Sequence, residues 1–351
     1  MEVRLRDVAE RAGVSVKTVS NVVHDYVHVA PPTRHRVQVA LEELNYRPNL
    51  SARTLRRGRS GVIALALPAL DMPYFAELTR FVVEAAGERG WTVLVEQTDG
   101  LREREQVVTA GVRGHLIDGL ILSPVALGAE ELVRRPDDPP LVLLGEKIDD
   151  DVADQVGIDN VEAARVATTH LLDLGRRHVG AIGYQDASES QSGVAALRQR
   201  GYESALEAYG VTLDASLAIS VAGYRRTDGA VAMRALLDQP HPPDSVFCFN
   251  DLLALGGLRV LKERGVRVPE DLAVIGLDDI EDGRFSSPSL STIAPDKEAI
   301  ARTAVEMLQQ RIISGATAPQ GGATVDFALV VRESTVSSAQ LPARERGVAH
   351  A

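Results

Sequence analysis

Apolar residues near the start of the chain recur every three or four positions, the spacing of one helical face. Leu5, Val8, Ala9 and Ala12 form one such stripe, Gly13 interrupts it, and Ser15 supplies an N-cap for a second helix to about Val23. Pro32-Thr33 opens a third helix to about Leu44, with Val37, Ala40, Leu41 and Leu44 on its apolar face, and Pro48 ends the unit. Residues 49–60 carry four arginines and only Leu50 and Leu55 as large apolar side chains. A stretch this polar reads as a linker or as a segment that folds on a partner.

From Gly61 the pattern changes to short apolar runs separated by amphipathic stretches. Strands are expected at 61–67, 91–96, 118–122, 141–145, 178–183, 217–221, 245–249, 272–277 and 324–331. Helices are expected at about 74–89, 103–115, 160–175, 193–209, 227–238, 251–265 and 296–314. Such alternation implies parallel sheets covered by helices on both faces, and this many strands suits two small sheets better than one. Ligands of open parallel sheets sit beyond the carboxyl ends of the strands, so residues just after strands are where binding chemistry is sought. The acidic run Asp149 to Asp154 lacks the ligand spacing and the glycine of a calcium loop and reads as a solvated loop. The organisation expected is a small three-helix unit at 1–48, a linker at 49–60, a core at 61–335 and a flexible tail at 336–351.

A length of 351 residues, 45% hydrophobic and 25% charged, fits a folded protein of two or three compact units and argues against disorder or a coiled-coil rod. No apolar run approaches the roughly 20 residues needed to span a bilayer, and the first residues lack a signal peptide's apolar core. A cytoplasmic protein with no membrane partner is expected. The single cysteine, Cys248, excludes an internal disulfide and argues against structural zinc. The net charge of -11 is unevenly spread. Residues 1–60 hold 11 Lys and Arg against 6 Asp and Glu, a net of +5, leaving -16 on the remainder. A basic module for a polyanion joined to an acidic body is the natural reading.

At about 100° per residue, Val16, Lys17, Ser20 and Asn21 share one side of the second helix, while Val19, Val22 and Val23 line the other. A short exposed row at the N-terminal end of such a helix is how a helix-turn-helix meets the major groove. Lys17 can donate to guanine, Asn21 to adenine or a phosphate, and Val16 offers apolar contact to a thymine methyl. The run from Leu5 to Val22, with Arg6-Asp7-Val8-Ala9 and Val14-Ser15-Val16-Lys17-Thr18-Val19-Ser20-Asn21, closely resembles the signature of the LacI/GalR family of bacterial transcription regulators. Glu43-Leu44-Asn45-Tyr46-Arg47-Pro48-Asn49, followed by Ala52 and Leu55, resembles the end of that family's headpiece and its hinge. The resemblance implies base reading by Val16, Lys17 and Asn21, phosphate contacts near Ser15, Thr18 and Ser20, and a minor-groove wedge at Leu55. Asn49, Ala52, Arg53 and Arg56 belong to the same implied DNA surface.

The resemblance runs on to Val331-Arg332-Glu333-Ser334-Thr335. It implies an N-terminal all-α helix-turn-helix headpiece plus an α/β periplasmic-binding-protein-like core of two parallel-sheet subdomains linked by three crossings, with a small-molecule effector between them. By the same resemblance Arg198, ahead of Gly201-Tyr202, and Asn250 and Asp278, each just after a strand, are effector contacts. An arginine fork, a carboxylate and an amide together suit a ring bearing vicinal hydroxyls. Asp71, Phe75, Tyr224, Phe247 and Glu146 complete the expected pocket, Phe247 with core packing as its alternative because it lies inside a strand. A mono- or oligosaccharide is the expected effector, with a nucleoside, a purine or another corepressor as the alternative. The expected partners are double-stranded operator DNA and a second copy of the chain. Since G-x-S-x-G, a phosphate loop, H-E-x-x-H and metal-ligand clustering are all lacking, neither enzymatic chemistry, a cofactor nor a metal is expected.

Overall fold

The computed structural model describes residues 3–23, 26, 28–46, 59–110, 116–133, 139–145, 153–185, 193–314 and 321–337. Two compact units divide the chain, one up to Gly61 and one from Val62 onward.

The first unit packs α1 (Leu5–Ala12), α2 (Val16–Val23) and α3 (Pro31–Glu43) against one another. Gly13 ends α1 at φ 64°, a left-handed conformation that glycine adopts without the steric cost of a Cβ. Val8, Ala9 and Ala12 of α1, Val19 and Val22 of α2, and Val37 and Ala40 of α3 make the core, with Leu41 and Leu44 at its margin.

The second unit holds two sheets. The first has the order β11-β5-β4-β3-β1-β2, built from β1 (Val62–Leu67), β2 (Thr92–Gln97), β3 (Gly119–Leu122), β4 (Leu141–Leu144), β5 (Asp154–Gly157) and β11 (Gly322–Thr324), all neighbours parallel. The second has the order β12-β10-β9-β8-β6-β7, from β6 (Val179–Tyr184), β7 (Ala218–Ser220), β8 (Ser245–Cys248), β9 (Ala273–Leu277), β10 (Ser291–Pro295) and β12 (Phe327–Val330). Only β12 runs antiparallel to its neighbour. Helices α4 (Pro73–Glu88), α5 (Arg102–Thr109) and α6 (Ala129–Val133) cover the first sheet. Around the second lie α7 (Asn160–Asp173), α8 (Val194–Ala208), α9 (Arg226–Leu237), α10 (Asp251–Glu263) and the short α11 (Glu281–Arg284), and α12 (Lys297–Ser314) returns to the first. The chain therefore passes between the sheets three times: after β5, after β10, and between β11 and β12.

The inner strands β1, β3 and β4 of the first sheet and β6, β8 and β9 of the second are buried on both faces, and these are among the strands that the sequence pattern marks. Three features depart from that pattern. Strand β5 begins at Asp154, the last residue of the acidic run expected to be a solvated loop. Asp154 is instead buried and paired with Arg311 of α12, whose Nη2 donates to Asp154 Oδ1 at 2.9 Å. Strand β10 is absent from the expected strands; its Ser291 and Thr292 are fully buried, their hydroxyls satisfied by Arg332, Thr335 and Asp251. The expected strand 324–331 divides at Val325-Asp326 into β11 and β12, which join different sheets. The end of the expected helix at 103–115 and most of the expected tail lie outside the described residues.

Gly201 decides how α8 sits: a methyl there would overlap the Val161 carbonyl of α7, so the absent Cβ lets the two helices approach closely. That approach places Arg198, one turn earlier on α8, beside the start of α7. Among the described residues no helix is long and apolar enough to cross a membrane.

Candidate functional site

In the first unit, Ser15 caps α2. Its hydroxyl accepts from the Thr18 amide at 3.1 Å and lies 2.8 Å from the Thr18 hydroxyl. Val19 and Val22 anchor the opposite side in the core, which fixes the rotation of the helix. Val16 is 45% exposed, Lys17 is exposed, and Thr18, Ser20 and Asn21 are half-buried. A helix N-terminus presents unpaired amides and a positive dipole end, so this face combines anion affinity with side chains able to read base edges. Asn49, Ala52, Arg53, Leu55 and Arg56 lie outside the described residues.

In the second unit, the carboxyl ends of β1, β8 and β9 bring a second set of residues together. Arg198 Nε donates to Asn160 Oδ1 at 3.0 Å, and its Nη1 donates to the Phe249 carbonyl. Its Nη2 has no protein partner among the described residues. Asp278 is 7% exposed and sits at φ 127°. Among the described residues its carboxyl group has no hydrogen-bond partner, yet Arg198 and Tyr74 are its electrostatic neighbours. Burial pushes the Asp278 carboxyl up to about 7; Arg198 and Lys297 pull it down, while Asp251 and Glu77 push it further up. Tyr74, in the first turn of α4, is driven up by burial and by Asp278.

An acid whose pKa is raised on folding opposes stability above its unfolded value. Stability therefore falls as pH rises from about 4 to about 7 and stays lowered above. Asp278→Asn should stabilise the ligand-free protein at pH 8 and flatten that slope. Denaturant titrations at pH 5 and pH 8 measure both, and an unchanged slope would show a carboxyl that ionises freely.

The other expected pocket residues divide. Tyr224 donates to the Gly183 carbonyl at 3.0 Å, and its own carbonyl accepts from Asn250 Nδ2 at 3.0 Å. Asn250 Oδ1 also caps α10 by accepting from Leu253 N at 2.9 Å, so this amide mainly builds the wall. Phe75 packs edge-on to Tyr74 at the margin of the first sheet's core. Phe247 is a correction: inside β8 it points into the second sheet's core, fully buried and 5.2 Å from Phe249, so it walls no cleft. Asp71, expected in the pocket wall, takes Arg225 Nη1 at 2.6 Å and Nη2 at 3.2 Å. That bidentate pair joins the loop after β1 to the residue before α9, and Arg225 holds the Asp71 carboxyl below the usual range. Glu146 lies outside the described residues.

Sequence reasoning missed Tyr74, Asn160, Glu77, Arg225 and Lys297. The signal for Lys297 was available. A lysine opening a helix opposes the helix dipole, so its charge needs a specific acceptor set. Among the described residues no cluster of His, Cys, Asp and Glu could hold a metal ion.

Residues 4–49 match the family model for bacterial regulatory proteins of the lacI family, and residues 168–335 match that for the periplasmic binding protein-like domain. The chain is 32% identical over 332 residues to the HTH-type transcriptional repressor CytR of Escherichia coli (strain K12), covering 94% of this chain and 96% of that protein. It superposes on the Lac repressor dimer bound to operator and the anti-inducer ONPF with a TM-score of 0.83 at 27% identity, over 96% of this chain and 100% of that one. The complex of the transcriptional regulator CelR with cellobiose gives a TM-score of 0.70 at 29% identity, over 95% of this chain and 100% of that one.

Proposed function

This chain belongs to the lacI family of bacterial regulatory proteins, DNA-binding repressors of transcription, and we propose that it acts as a homodimer on a palindromic operator and releases it when a small sugar occupies the cleft between its sheets. A dimer suits the task, because one small headpiece makes few base contacts and a two-fold protein reads a two-fold site. The similar Lac repressor structure is a dimer on its operator.

The DNA reading rests on the row formed by exposed Val16 and Lys17 and half-buried Asn21, set by the Ser15 cap and the Val19 and Val22 anchors. Ser15, Thr18 and Ser20 stand next to it as phosphate contacts, with Asn49, Ala52, Arg53 and Arg56 extending the surface and Leu55 as the wedge. Selection from randomised duplexes would define the operator. On it, Lys17→Ala or Asn21→Ala should cost about 1–3 kcal/mol at particular base pairs, whereas Arg53→Ala and Arg56→Ala should weaken all sequences alike and flatten the salt dependence. Equal losses on every sequence for Lys17→Ala would make it a phosphate contact.

The effector reading rests on one observation: a buried carboxyl at Asp278 without a hydrogen-bond partner among the described residues, beside an arginine with a nitrogen to spare. Asp278 can accept from two hydroxyls and Arg198 can donate across the same ring, while Tyr74, Phe75 and Tyr224 offer flat apolar faces. The similar CelR structure holds cellobiose. Thermal shifts against pentoses, hexoses, disaccharides, nucleosides and free purines test the class. A ligand at 100 times its dissociation constant adds roughly 2.7 kcal/mol. A response confined to nucleosides or purines would replace the sugar.

A further inference from the structure

Lys297 opens α12 at the second passage between the sheets, and its side chain is only 9% exposed. An ammonium has three donors, and all three are used. Nζ donates to the Asp278 carbonyl at 2.6 Å and the Asp279 carbonyl at 2.9 Å, and it pairs with Glu77 Oε2 at 2.7 Å. The two carbonyls belong to a turn in which both residues take positive φ, 127° and 49°. Non-glycine residues hold that conformation only where their surroundings over-determine it. Further ties act on the same turn: Asp279 takes Arg332 at 2.6 Å and Arg284 at 2.7 Å, and Asp251 Oδ2 accepts from the Ile280 amide at 3.0 Å.

Glu77 comes from the other side of the cleft. It lies on α4 one turn beyond Tyr74, and its second oxygen accepts from the Glu281 amide at 3.2 Å. The Tyr74 ring centroid lies 5.9 Å from Lys297 Nζ. The helix carrying Tyr74 and the turn carrying Asp278 are thus joined through a buried ammonium, with the Glu281 amide as a second tie to Glu77.

We infer that Lys297 is a positioning residue for the effector site: with Glu77 it clamps the Asp278-Asp279 turn to α4, aiming the Asp278 carboxyl and setting its distance from Tyr74. An effector that engages Asp278 then pulls on α4 through two short polar links. The inference rests on reading Asp278 as an effector contact, but its test needs no effector.

The test is the titration of Asp278 in the full-length protein labelled with carboxyl-¹³C aspartate, its resonance assigned by its loss in Asp278→Asn. The charged groups facing Asp278 are Arg198, Asp251, Lys297 and Glu77. Removing the ammonium in Lys297→Met should move the Asp278 midpoint to higher pH, and removing the carboxylate in Glu77→Gln should move it to lower pH. A role in packing alone predicts neither shift. Amide exchange at residues 278–281 should also quicken roughly tenfold or more in Lys297→Met, while exchange in β6 stays unchanged. A folded Lys297→Met protein with the wild-type Asp278 midpoint and wild-type exchange overturns the clamp. Should Lys297→Met fail to fold, Glu77→Gln decides: a lowered midpoint supports the clamp and an unmoved one overturns it. Failure here leaves the effector assignment intact, since the ligand panel judges that separately.

Discussion

Arg311→Met should cost the folded protein about 3–5 kcal/mol, the loss typical when one partner of a buried ion pair is removed. Arg311 and Asp154 are 10% and 8% exposed at their side chains. Asp154 also accepts from the Gly321 amide at 2.9 Å. The pair therefore ties three pieces together: the first residue of β5, the last turn of α12 and the start of β11. Methionine fills much of the space of the arginine stem but supplies no donor, so the carboxylate stays buried with one amide in place of a guanidinium fork. Replacing both residues, Arg311→Met with Asp154→Leu, should recover most of the loss, because the expense lies in the stranded charge. Denaturant titration of the core reads both variants. A loss for Arg311→Met within about 0.5 kcal/mol, the size expected of a surface substitution, would show that water reaches the pair.

The same pair shows where sequence reading stops. Four strands of the core, β1, β3, β4 and β9, are buried along nearly their whole length because helices cover both faces, and runs rich in valine, isoleucine and leucine mark them. Strand β5 has one large apolar residue, Val156, and its first carboxylate is neutralised by an arginine 157 positions away. No local pattern carries that information. Strand β10 hides for a related reason, since its serine and threonine are buried only because Asp251, Arg332 and Thr335 complete their hydrogen bonds. The site follows the same rule. The helix-turn-helix face is local, so periodicity and a cap suffice to orient Lys17 and Asn21. Asp71 falls in the expected pocket wall, but Arg225, from the other sheet's side, occupies both of its oxygens. Phe247 and Phe249, two positions apart, share a face of the strand line, and only the packing of α7 and α8 shows that this face is core.

Arg198→Ala should weaken effector binding by about 10- to 150-fold for each charge-assisted bond it removes, at roughly 1.5–3 kcal/mol apiece. The side chain touches the other wall residues as well as any ligand. Its Nε holds Asn160 and its Nη1 holds the Phe249 carbonyl, so truncation also loosens the end of β8. Arg198→Lys separates the two effects: it keeps a positive charge near Asp278 but loses the planar fork, so affinity should recover only in part. Loss of Arg198 also removes the stronger of the two cations that pull the Asp278 carboxyl down, Lys297 being the other, which favours its protonated form and makes it less able to accept. Both consequences act in the same direction. The effector shifts the DNA-bound population only through its different affinity for the two arrangements, and DNA must change effector affinity by the same factor. With a sugar as inducer, Arg198→Ala should bind operator as tightly as wild type without sugar and keep it at sugar concentrations that release the wild type. Operator titrations at fixed sugar concentrations measure this. Release of the variant at the wild-type concentration would remove Arg198 from the effector site, while failure of the variant to bind operator at all would show that the wall of β8 and α8 supports the DNA-competent state itself.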